Sequence, residues 1–244
     1  SATARKAVQK PPLARILDGA GLEPQTLRLS EGGALVVLPS SGRVLGLFPT
    51  GSDENFLWTH SALGSSLGAA AWIGEEGWPN PGGDRTWIAP ELEFFIGDPA
   101  RVAETYRVPP ELDPGTWRMV KLTSDEIQLA METDLPLRQR LGQVRVCLTK
   151  TLRPAAHPLR DVAPLCSEAR YAGYVQSTTL QVESGPPDIK IGLWNLLQLP
   201  SPGAMTVATH TVTTPRIIFG KIPTADLHVA PHQIRWLMGR RTTD

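Results

Sequence analysis

Two cysteines in 244 residues, Cys147 and Cys166, are too few for a disulfide scaffold. Cys147 sits in an alternating, strand-like stretch and Cys166 in a loop-like one. Both read as ordinary thiols, and a single bridge between them stays open. No Cys/His spacing points to zinc. His228 and His232 are four apart, but Pro231 between them works against a helix that would bring them together. Charge of one sign is also missing. Lys+Arg and Asp+Glu both number 24, so the basic excess that phosphate binding leaves is absent. Arg235, Arg240 and Arg241 read as a solvated face. No apolar run approaches the roughly 20 residues that cross a bilayer. The N-terminus, SATARKAVQKPPLARIL, lacks the apolar centre of a signal peptide. A cleaved leader would leave the same end, so the compartment is open between cytoplasm and periplasm. There is no GxGxxG, no Walker lysine loop, no G-x-S-x-G elbow and no HExxH. Nucleotide-dependent and serine-hydrolase chemistry lose their support, and no cofactor or metal is expected.

Proline (23) and glycine (22) are plentiful and punctuate the chain too densely for long helices. Residues 1–30 read as an irregular start, with Pro11 and Pro12 breaking any helix beyond one short turn. ALVVLP (34–39) and SGRVLGLFP (41–49) read as a hairpin. Alternation follows. Met119, Lys121 and Thr123 oppose Val120 and Leu122. Ile127, Leu129 and Met131 alternate with polar or small residues, and so do Val144, Val146 and Leu148. Thr178 to Glu183 continues the pattern. Such period-two patterns suit antiparallel sheets with one packed and one wet face. IKIGLWNLLQL (189–199) is apolar on both faces and reads as a buried strand. RIIFG (216–220) reads as a short one. With no repeat near about 40–50 residues, a propeller is disfavoured. The economical reading is all-β: one large antiparallel β-sandwich over 31–244 with few short helices.

The densest chemistry lies in PNPGGDRTWIAPE (79–91), where a glycine pair, read as a hinge, precedes Asp84, Arg85, Trp87 and Glu91. Trp58, Trp72, Trp78 and Trp87 are closely spaced. Indole faces stack on the C–H faces of sugar rings while acids, amides and arginine bond the hydroxyls. Core packing is the competing role for each tryptophan. Asp84 and Arg85 could pair with each other, or Arg85 with Glu91, as a structural brace. Alternatively Arg85 presents a planar fork to a ligand. A Glu91 carboxylate in a dry pocket gains a raised pKa suited to acid–base work.

The runs SSGRVLGLF, NFLWTH, GGDRTWIAPE, TLRP, YAGYVQSTTLQV and GLWNLLQLPSPG together resemble a bacterial family of the galactose mutarotase-like, or aldose-1-epimerase-like, superfamily. The likeness spans about residues 34–205 and is most specific in GGDRTWIAPE. It implies a β-supersandwich with a sugar groove on its concave side, and a small-molecule carbohydrate as partner. In characterised aldose epimerases a histidine acts as acid on the ring oxygen. A glutamate acts as base on the anomeric hydroxyl, without metal or cofactor. The catalytic candidates for such chemistry are Glu91, His60 and His210, none of them carried over from a family motif. The substrate-binding candidates are Asp84, Arg85, Trp87, Arg43 and Trp58. Two departures stand out. His210 precedes Thr211-Val212-Thr213 instead of the family's aromatic–Phe–Asn–Leu run. The last segment, IRWLMGRRTTD, holds no glutamate, as in a domain cut short or a genuinely shorter one. A sugar-binding module without catalysis, or an interaction domain with no sugar site, are the alternatives.

Overall fold

A computed structural model describes residues 10–161, 169–217 and 221–239. The protein is mostly β, with three antiparallel sheets and a few short helices. The chain divides into two compact units, 1–198 and 199–244, where the sequence suggested one domain over 31–244.

In the first unit, helix α1 (Pro12–Gly19) opens the fold. The two prolines, expected to break a helix, instead start one. Pro12 occupies the first turn, where its missing N–H has no intrahelical partner to lose. Leu13, Ala14 and Leu17 form its buried stripe. The strands β1 (Gln25–Arg28), β2 (Ala34–Leu38) and β3 (Arg43–Phe48) follow, and β2 and β3 form the expected hairpin. Helix α2 (Ser66–Ile73) is capped by Ser65, whose hydroxyl accepts from Gly68 N at 3.1 Å. Strand β4 (Asp84–Ala89) leads into the short helices α3 (Glu91–Phe94) and α4 (Val102–Thr105).

Next come β5 (Arg118–Leu122), β6 (Ile127–Pro136), β7 (Gln143–Pro154), β8 (Tyr174–Ser184) and β9 (Gly192–Leu197). One sheet has the order β1-β2-β3-β4-β9 and the other β5-β6-β7-β8. All five residues of β2 are buried. Ala34, Val36 and Leu38 pack with Leu13, Ala14, Leu17, Leu63 and Ala69, while Leu35 and Val37 point to the opposite face.

The inward phases of β6 and β7 match the alternation read from the sequence: Ile127, Leu129, Met131, Val144, Val146 and Leu148 are buried. Two strands differ from expectation. Every residue of β5 is exposed, and β5 is a sheet edge paired only with β6. The apolar run at β9 is also an edge, with Leu197 exposed, because only β4 pairs with it. Cys147 is a free thiol, and Cys166 lies outside the described residues.

The second unit is a three-stranded sheet ordered β10-β12-β11, from β10 (Gly203–Ala208), β11 (Leu227–Ala230) and β12 (Gln233–Met238). Of the strand expected at 216–220, Arg216 and Ile217 are in irregular chain and 218–220 lie outside the described residues. No helix among the described residues is long and apolar enough to cross a membrane.

Candidate functional site

Gly82 and Gly83 are a tight junction and not the loose hinge the sequence suggested. Their φ angles are +93° and +75°, in the left-handed region. A Cβ on Gly83 would lie 2.0 Å from the Val44 carbonyl oxygen, and one on Gly82 would lie 2.3 Å from that of Trp58. The backbone is clamped as well. Gly83 N donates to Trp58 O at 2.8 Å, and Gly83 O accepts from Gln198 N at 2.9 Å. The segment that brings Trp58 here is held by Asn55, whose side chain accepts from Leu47 N and donates to Leu45 O, both at 2.9 Å.

The rigid junction launches β4 with fixed side-chain directions. Neighbouring residues on a strand point to opposite faces, so Asp84 and Arg85 diverge and do not pair. Asp84 accepts from the Tyr174 hydroxyl of β8 at 2.5 Å, and its Oδ1 is buried without a hydrogen bond. Burial raises its pKa against the opposing pull of Lys150, Tyr174 and Arg43. Burial and the Asp84 charge push the Tyr174 hydroxyl up in turn.

Lys150 is fully buried on β7. Its Nζ donates to Gly42 O at 2.6 Å and lies 5.4 Å from the Trp117 ring centre. Burial, with help from Arg43, holds this amine down to about 8 against the attraction of Asp84 and Asp113. The contacts Asp84–Tyr174 and Lys150–Gly42 therefore tie the two sheets of the first unit together.

Arg85 and Trp87 lie on the other face of β4. The Arg85 guanidinium carbon sits 4.2 Å from the Trp87 ring centre and 5.0 Å from that of Trp78. Its Nη1 donates to Gln198 Oε1 at 2.9 Å and to Asn80 Oδ1 at 3.5 Å. Burial first, then repulsion from Arg43, lowers its pKa to about 10. Trp87 is 3% exposed, enclosed by Trp78, Phe95 and Trp194 as well as Arg85, so it offers no free ring face. Trp78 is only half-buried.

Beneath them Asp113 is a hub the sequence reading missed. Its Oδ2 accepts from Arg43 Nη2 at 2.5 Å, Trp78 Nε1 at 2.8 Å and Trp87 Nε1 at 2.9 Å. Arg43 also donates to Gly82 O at 3.0 Å and is 1% exposed, which places it inside the fold and out of solvent's reach. Burial lowers its pKa, against the pull of Asp113 and Asp84.

Glu91 opens α3 and is half-buried. Burial raises its pKa, opposed by the hydrogen bond from Tyr106 and by the charge of Arg85. Burial and Glu91 together push Tyr106 up. Glu91 and Arg85 thus act on each other's charge, although no ion pair joins them among the described residues.

The two candidate histidines are placed elsewhere. His60 stacks on Trp72 with ring centres 3.8 Å apart, meets Trp58 edge-on, and accepts from Ala62 N through Nδ1 at 3.2 Å. It caps a short turn and is committed to that role. His210 is an exposed bend residue after β10, in the second unit. Among the described residues no group of three or more His, Cys, Asp or Glu side chains could hold a metal ion.

Lys150 was within reach of the sequence. Extending the Val144-Val146-Leu148 phase by one step puts a lysine on the packed face. Neither a family model, nor a curated protein, nor a solved structure matches this chain.

Proposed function

We propose that the protein binds a carbohydrate at the rim of Arg85, on the surface shared by Trp78, Asn80, Gln198, Glu91 and Tyr106. One observation carries the reading: a guanidinium packed against two indoles, with planar amide and carboxyl groups around it. Aromatic faces take up the apolar side of a pyranose, and planar polar groups bond its hydroxyls in pairs. Of the two indoles flanking Arg85, half-buried Trp78 is the platform, and buried Trp87 is its support. The resemblance of GGDRTWIAPE to the galactose mutarotase-like superfamily adds to this reading.

Titration calorimetry and saturation-transfer NMR against a panel of free aldoses test it. Dissociation constants on the order of 1 mM, about −4 kcal/mol, are expected for a rim with one half-buried platform. Trp78→Ala should remove the binding. If no aldose binds the wild-type chain, the proposal ends.

Glu91 favours a second reading, an epimerase-like exchange of anomers. A carboxyl with a raised pKa, hydrogen-bonded to Tyr106, is suited to moving a proton. Polarimetry on any aldose that binds decides between the two. Turnover that Glu91→Gln abolishes supports catalysis, and binding without turnover supports a module.

A further inference from the structure

Arg85 is only 7% exposed, yet both of its hydrogen-bond acceptors are neutral amides, Asn80 and Gln198. Both bonds leave from Nη1. Nε is buried without a partner, and Nη2 makes no hydrogen bond among the described residues. The nearby carboxylates are committed elsewhere. Asp113 serves Arg43 and two indoles, Asp84 points across β4 to Tyr174, and Glu91 is bonded to Tyr106. A buried cation without a contacting counter-ion is costly, and here Arg43 adds repulsion.

Nε and Nη2 form the side edge of a guanidinium. Nε is the closed end of that edge, and Nη2 is the charged donor left for an oxygen of a carboxylate or phosphate. Both indoles pack against the guanidinium. A sugar hydroxyl could accept from Nη2 but would leave the charge unmatched.

We infer that the sugar bound here carries an anionic group, a carboxylate or a phosphate, that docks on Nη2 of Arg85. The inference rests on the sugar-binding reading and names the class of sugar. Calorimetry at low salt, with hexoses, the matching hexuronates and the matching hexose 6-phosphates, tests it. At least one anionic form should bind tenfold or more tightly than its neutral parent, and which form does so identifies the group. Arg85→Met should erase that advantage while keeping or raising the melting temperature, because an unmatched buried charge has been removed.

Equal affinity for neutral and anionic forms overturns the inference and leaves the sugar reading standing. No binding by any of them overturns both. Should Arg85→Met not fold, the wild-type melting temperature replaces it. An anionic sugar should raise it where the same concentration of the neutral parent does not, and equal shifts overturn the inference.

Discussion

The carboxylate of Asp113 accepts the guanidinium of Arg43 at 2.5 Å with both side chains buried, and the same oxygen takes the indole N–H groups of Trp78 and Trp87. Asp113→Ala strands a buried charge and two donors at once. The expected loss is about 3–5 kcal/mol in urea denaturation. A loss below about 1 kcal/mol would mean that water reaches the pair.

Lys150 contributes a pH dependence of definite sign. Its amine titrates at about 8 in the fold and at an ordinary 10.5 in the unfolded chain. Between those values the unfolded chain holds the extra proton, so this group makes stability rise with pH. Below pH 8 it carries its full penalty, on the order of 3 kcal/mol. The stability difference between wild type and Lys150→Met should therefore move in favour of wild type from pH 8 to 10.5. A flat difference would place the amine in water.

Gly83→Ala tests the junction ahead of β4. The left-handed φ and the clash with the Val44 carbonyl should together cost about 3 kcal/mol or more. Gly51 shares the left-handed φ with open space around it, so Gly51→Ala should cost only about 1–2 kcal/mol. Chemical denaturation of the two variants separates strain from collision. Equal costs would show that Gly83 has room to yield.

Trp87 and Trp78 should separate stability from binding. Trp87→Ala empties a packed site and should lower stability by about 3–5 kcal/mol. Trp78 is half-buried, so Trp78→Ala should cost less stability while removing the sugar signal. Denaturation and calorimetry on the same two proteins check the split. A sugar signal that survives Trp78→Ala would move the platform elsewhere.

Much of this arrangement could be read ahead of the structure where local rules govern it. Alternation placed β6 and β7 and their inward residues, and proline and turn residues placed the β2–β3 hairpin. Asp84 and Arg85, which the sequence allowed to pair, are separated because 84–89 is a strand and adjacent strand residues point to opposite faces. Edge position was not readable. β5 and β9 carry apolar residues like those of central strands, and only the strand order leaves them unpaired on one side. Asp113 was hidden for a similar reason. It lies in ELDPG, a turn by composition, and its three partners are 26 to 70 residues away.

By itself the amino-acid sequence determined a β-rich chain with short helices and a concentration of chemistry in residues 79–91. Period-two patterning and frequent proline and glycine act over a few residues, so their consequences are visible in one dimension. Only the tertiary structure decided that the glycine pair is rigid, that Trp87 is enclosed, and that Arg85 is buried without a contacting anion. Those outcomes depend on which distant backbone and side-chain atoms fill the space around each group, and sequence spacing carries no record of that.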